Sequence, residues 1–165
     1  MSSGTIGYTV LWDLGEGVEI RQYSKQILIS VEGKDLNSAF SKLANYIFGD
    51  NAEGIRISMT TPVIIVFKDN SFLMSFVLPT GFSIDNVPLP SDDGIAIQES
   101  APRKVAVIRF SGYLDRDKYL QKLQKLIEIL KDKNITPKGD AFVMQYDPPW
   151  VPPMLRFNEV AIEVE

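Results

Sequence analysis

The chain has 165 residues, 45% of them hydrophobic and 23% charged, with a formal charge of −4. That is the length and composition of one soluble globular domain, able to hide roughly 70% of the surface its unfolded chain would expose. With no cysteine and no histidine, disulfides, thiolate or histidine relays, N/S zinc sites and a histidine axial ligand for haem are all excluded. The 17 Lys and Arg residues are scattered rather than gathered on one face, so no nucleic-acid partner is expected. The start MSSGTIGYTV lacks a signal-peptide pattern, and apolar runs such as 63–67 fall far short of the ~20 residues that span a bilayer. A cytoplasmic protein with no transmembrane segment is the expectation.

In chain order, residues 17–32 alternate and are β-branched enough for one or two strands, with Ile27, Ile29 and Val31 on one face. Residues 36–48 read as a helix. Leu36, Phe40, Leu43 and Ile47 form its apolar stripe, Asp35 is its N-cap and Gly49 its stop. Residues 55–67 and 71–78 read as two strands joined by a turn at 68–71, and the Pro/Gly-rich segment 79–94 as the longest irregular stretch. Short strands follow at 95–99 and 104–110. A second helix starts at the cap Asp115, carries the stripe Leu120, Leu123, Ile127 and Leu130, and ends near Lys131 and Lys133, where the negative helix end favours cations. Strands at 140–146 and 155–164 close the chain, separated by the proline-rich segment 147–154.

This order is strand-strand-helix-strand-strand twice over, with repeats at about 8–80 and 94–165. Ile29-Ser30-Val31-Glu32-Gly33 leads into the first helix as Ile108-Arg109-Phe110-Ser111-Gly112 leads into the second. The expected class is α+β: a pseudo-twofold ββαββ duplication with one helix against each half of a shared antiparallel sheet or distorted barrel, within a single domain over 1–165.

Several strings then point to a family. Val18-Glu19-Ile20-Arg21-Gln22-Tyr23, Tyr46-Ile47-Phe48-Gly49-Asp50-Asn51, Ile57-Ser58-Met59-Thr60-Thr61-Pro62-Val63, Tyr146-Asp147-Pro148-Pro149-Trp150 and Arg156-Phe157-Asn158-Glu159-Val160 resemble, in order, the pattern of the SOUL haem-binding family. The resemblance spans roughly residues 18–164. It implies a distorted β-barrel flanked by two helices, similar to the gyrase-inhibitor-like fold, and a non-enzymatic protein that binds haem or another tetrapyrrole reversibly for transport or buffering. It also implies a shallow apolar site: Asn37, Phe40, Ser41 and Ala44 on the first helix, with Trp150, Val151, Met154 and Arg156 from the loop before the last strand. Asn37 and Val151 stand where family binders place basic residues, leaving Arg156 and Lys42 as the nearby cations. Without histidine, a haem complex would be weakly ligated by Met or Tyr or held by contact alone.

Rival readings come from the residues themselves. The rigid loop carrying Trp150 and Met154 serves as a binding wall or as packing over the fold. Glu159 reads first as an ordinary solvated or paired strand carboxylate; pointing inward, it would meet Arg21 or a cationic ligand, and a gyrase-inhibitor-like sensor or hydrolase would use it as a cleft carboxylate. Asp92 and Asp93 read as a solvated turn. A protein or membrane-surface partner for the proline-rich loop or a helix is the third alternative.

Overall fold

The computed structural model describes residues 4–147 and 151–165. Its elements are β1 (Gly4–Thr5), β2 (Thr9–Gly15), β3 (Val18–Tyr23), β4 (Gln26–Gly33), α1 (Leu36–Ile47), β5 (Thr60–Thr61), β6 (Val63–Phe67), β7 (Phe72–Val77), β8 (Ile95–Ser100), β9 (Arg103–Ser111), α2 (Arg116–Asp132), β10 (Phe142–Gln145) and β11 (Phe157–Glu163), with one 3-10 turn at Pro153–Leu155. The α+β class is as expected. The paired strands are antiparallel except for β1 with β5, and no pairing among the described residues closes them into a barrel.

The chain divides into two compact units. The first comprises residues 1–6 and 25–101 and the second residues 7–24 and 102–165. In the first, β4 pairs with both β7 and β8, and β7 pairs with β6. In the second, β3 lies between β2 and β9, and β11 lies between β9 and β10. β3 precedes α1 in sequence yet pairs with β9, and β8 precedes α2 yet pairs with β4.

Each helix covers one face of the strands of its own unit, α1 on β4 and β7, α2 on β9 and β11. Side chains alternate along the strands, so the intervening residues lie on the opposite, helix-free face. On the α1 side lie Ile27, Ile29, Val31, Met74 and Phe76, all buried. On the α2 side lie Ala106, Ile108, Phe110, Val160 and Ile162, also buried.

Both helices begin where expected. The Asp35 carboxylate accepts from the Ser38 N–H at 3.1 Å and its hydroxyl at 2.6 Å, and Asp115 accepts from the Lys118 N–H at 2.8 Å. Gly49 (φ 120°) ends α1 in a conformation that side chains rarely adopt. The stripes, however, are turned from the expected ones. In α1 the buried residues are Ala39, Leu43, Tyr46 and Ile47, so Leu36 and Phe40 are exposed; in α2 they are Tyr119, Leu126, Ile129 and Leu130, and Leu120 is exposed. Two further differences are local. Residues 55–59 are not strand, because this stretch returns to the end of α1, where the Ile57 N–H donates to the Ile47 carbonyl. The unanticipated strand β2 is paired to β3 and largely exposed, so burial imposes no pattern on its sequence.

The motif strings of the first half are mostly structural. The Tyr46 hydroxyl donates to the Pro88 carbonyl at 2.6 Å, and its pKa is pushed up to about 12 by burial and then by Glu53. The Asn51 amide donates to the carbonyls of Tyr46 and Ile55, each at 2.9 Å, tying down the chain after the helix. The Thr60 hydroxyl donates to the Val77 carbonyl, and a cis Thr61–Pro62 bond separates β5 from β6.

On the helix-free face of the first unit the Ser30 and Ser75 hydroxyls pair across β4 and β7 at 2.6 Å, both buried. Either single change to Ala should cost about 1–3 kcal/mol by orphaning the other hydroxyl, whereas the double change should cost less than the two singles summed. Urea unfolding of the three variants measures this, and strict additivity would refute the pair.

Candidate functional site

Three groups of side chains stand out, and two contain the expected site residues. The first is the outer face of α1. Leu36, Phe40, Ala44 and Phe48 recur every fourth residue, which places them in one row along a helix, and the row from 36 to 48 is about 18 Å long. Leu36, Phe40 and Phe48 are exposed, Phe48 at 59%, and Ala44 is half-buried. The expected residues Asn37 and Ser41 flank this row and are exposed as well. Phe40 is held by an edge contact with Phe76, ring centroids 5.1 Å apart. Beside Phe48 lies the Arg56 guanidinium, 5.6 Å from the ring centroid. Neither Phe48 nor Arg56 was anticipated. The signal for Phe48 was in the sequence, as the next member of the four-residue series.

The second group is the segment before β11. Val151 is half-buried, and Met154 is 84% exposed at the 3-10 turn. Trp150 lies outside the described residues. Arg156 was expected at the ligand's rim, yet its Nε donates to the Val151 carbonyl at 2.8 Å and its guanidinium lies over the Tyr113 ring at 4.7 Å. It ties the segment back on itself. The α1 residues belong to the first compact unit and the 151–156 residues to the second.

The third group surrounds Glu159, on the helix-free face of the second unit. Glu159 is 0% exposed. Arg21 holds it with two parallel bonds, Nη1 to Oε1 at 2.8 Å and Nη2 to Oε2 at 2.5 Å. The Tyr146 hydroxyl donates to Oε1 at 2.5 Å, and Arg109 Nη2 lies 3.3 Å from Oε2. Arg21 also donates to the Tyr23 hydroxyl at 3.1 Å and to Glu19 at 3.2 Å, and it sits 4.0 Å over the Tyr8 ring. The half-exposed Arg109 lies over Phe157, which stacks on Tyr146 with centroids 4.8 Å apart. Of this set the sequence reading anticipated the meeting of Glu159 with Arg21; Arg109 and the tyrosines required the strand register.

Electrostatics follow from that geometry. Burial works against the Glu159 charge, but the bonds from Arg21 and Tyr146, with the charges of Arg21 and Arg109, hold its pKa below the usual carboxylate range. Burial and then the neighbouring Glu159 charge push the Tyr146 hydroxyl far above its ordinary value. Burial raises Tyr23 too, against the opposing pull of Arg21. A carboxylate that already accepts from two arginines and a tyrosine has little capacity left for a substrate proton or a cationic ligand. In the first unit Ser30 and Ser75 face each other across β4 and β7 as Arg109 and Glu159 do across β9 and β11, so one unit carries a neutral pair where the other carries an ionic network.

Among the described residues no cluster of three Asp or Glu could hold a metal ion. Asp92 instead accepts from the Gly94 N–H at 2.7 Å, the turn role expected of it. Among the described residues no helix is long and apolar enough to cross a membrane.

Comparisons with known proteins agree with the motif strings. Heme-binding protein 1 of Sus scrofa is 32% identical over 131 residues, covering 76% of this chain and 69% of that protein. Heme-binding protein 2 of Homo sapiens is 32% identical over 127 residues, covering 69% and 62%. Among solved structures, the EcmrR C-terminal domain superposes with a TM-score of 0.66 at 13% identity, covering 90% of this chain and 96% of that one. A hydrolase from Listeria innocua gives 0.63 at 7% identity, covering 93% and 94%. At such identities the solved structures speak for the fold alone. The SOUL heme-binding protein profile matches residues 4–163, and the chain therefore belongs to that family.

Proposed function

We propose that this protein binds haem or a related flat tetrapyrrole reversibly and without a covalent link, as a carrier or buffer rather than an enzyme. The observation that carries the reading is the apolar row Leu36, Phe40, Ala44 and Phe48 along α1 and its C-cap, with Leu36, Phe40 and Phe48 exposed. Family membership, with relatives named as heme-binding proteins, supports it. A macrocycle has a broad apolar face, and exposed aromatic and aliphatic side chains in one row give it dispersion contact and remove apolar surface from water. Asn37 and Ser41 flank the row as polar contacts. Trp150, Val151 and Met154 enter the proposal as a second apolar surface carried by their own unit, with Arg156 stiffening it. A single domain over 1–165, with its strands drawn into a distorted barrel, and a cytoplasmic setting complete the reading.

The donor chemistry suits the macrocycle better than its metal. With no His or Cys in the chain, an axial bond would fall to the exposed Met154 thioether or a tyrosine. When bound, haem would supply redox and gas-binding chemistry, while the residues here would hold its face. Haem and iron-free protoporphyrin are therefore expected to bind with affinities within about threefold of each other, since a lost axial bond would otherwise show. Soret titration of both, with porphyrin fluorescence for the iron-free form, tests this. Saturable one-to-one binding is the expected result, and absence of saturation with both ligands would overturn the proposal. Paired Trp150→Ala and Met154→Ala changes then test the second surface, which is discarded if affinity is unchanged.

The cleft-carboxylate alternative fares worse. It needs Glu159 free to act, and the bidentate Arg21 contact with Tyr146 and Arg109 occupies both carboxylate oxygens.

A further inference from the structure

The apolar row on α1 ends at a cation. Arg56 is exposed, and among the described residues it makes no ion pair. Its guanidinium lies over the Phe48 ring, the last member of the row. Along the helix, Asn37, Ser41 and Asn45 beside the row carry no charge, and Lys42 is directed toward the 92–94 turn, where its Nζ lies 3.8 Å from the Cβ position of Gly94.

A cation–π contact steadies a guanidinium without using its hydrogen bonds, so the five N–H donors are left for a ligand. The guanidinium edge matches a carboxylate in a two-bond, fork-to-fork contact. In a protein of net charge −4, a dianionic ligand is repelled at long range, so a local, pre-oriented cation has most to contribute.

We propose that Arg56, steadied by Phe48, is the carboxylate anchor of the α1 surface. The inference rests on the tetrapyrrole reading and adds to it an orientation and a ligand requirement: the flat face lies along Leu36, Phe40, Ala44 and Phe48, and the acidic edge lies at the Arg56 end. The ligand class is then an apolar macrocycle with free carboxylates along one edge. Esterified or uncharged porphyrins gain nothing from Arg56.

The test titrates wild-type protein, Arg56→Gln, Arg56→Lys and the remote surface change Lys25→Gln with protoporphyrin IX and with its dimethyl ester, following porphyrin fluorescence. Arg56→Gln should weaken the free acid about tenfold or more, the loss expected for one charge-assisted contact. Arg56→Lys should keep part of the affinity, and Lys25→Gln should match wild type. The ester should bind all four proteins alike. Added salt should weaken free-acid binding to wild type more than to Arg56→Gln. Unchanged free-acid affinity in Arg56→Gln, or an equal loss for acid and ester, overturns the anchor while leaving the binding reading intact. Failure of the wild-type protein to bind either form overturns both.

Discussion

Glu159→Ala should destabilise the protein by about 3–5 kcal/mol, the cost of removing one partner from a buried ion pair and leaving the other charge largely uncompensated. Arg21 is 1% exposed and would keep its charge, with only the Tyr23 hydroxyl, the half-buried Glu19 and the Tyr8 ring to offset it. Arg21→Met should be comparably severe. The double variant Arg21→Met with Glu159→Met should recover part of the loss, because the pair's desolvation disappears together with its attraction. Tyr146→Phe should be milder, about 1.5–3 kcal/mol for a hydrogen bond to a charged acceptor. Chemical unfolding measures all four, and a cost below about 1 kcal/mol for Glu159→Ala would show that the network does not hold the sheet.

The same network sets the pH range of stability. Glu159 has a folded pKa below its unfolded one, so its contribution is fully present above the ordinary carboxylate range and is lost as pH falls through the folded value. Tyr146 and Tyr23 are raised, so they favour the fold below the ordinary phenol range, and that contribution fades as pH rises through and beyond it. Thermal unfolding followed against pH should show both limbs. Tyr146→Phe should flatten the alkaline limb, and an alkaline limb unchanged by that substitution would remove Tyr146 as its source.

Phe40→Asp should weaken tetrapyrrole binding by about thirtyfold or more. It trades an aromatic wall in the middle of the α1 row for a carboxylate that the macrocycle would have to desolvate, a penalty of about 2 kcal/mol or above. Phe40→Leu should cost much less, since the apolar face is kept. Because Phe40 is an exposed residue whose ring meets Phe76 edge-on, the helix should survive the change, and far-ultraviolet circular dichroism confirms that before titration. Equal Soret titrations of wild type and Phe40→Asp would move the site away from α1.

Local signals were legible because they are settled within a few residues. Asp35 and Asp115 cap their helices through side-chain bonds to an N–H three positions on, and Gly49 ends α1 by a backbone conformation of its own. The order of strands and helices, the echo between 29–33 and 108–112, and the family pattern with its expected helix surface were also readable. The buried face of each helix was not. Apolar residues occupy a broad arc of α1 that includes both buried and exposed positions, and which of them turn inward depends on how the helix lies on β4 and β7. That choice buries Ala39 and Tyr46 and leaves Leu36, Phe40 and Phe48 outside.

Register decided the rest. Arg21, Arg109, Tyr146 and Glu159 come from four separate stretches of sequence, and only the pairing of β3 with β9 and β9 with β11 brings the first two to the carboxylate. A one-residue slip in either pairing would turn those charges to the opposite face. The pairing of β3 with β9 and of β8 with β4 is likewise invisible to a pattern read along the chain, because strand alternation reports burial and not the identity of the neighbour. Sequence by itself determined both helices, their caps, most of the strands and the family; the tertiary structure alone decided which faces were covered and which charges met, since both depend on contacts between residues far apart in the chain.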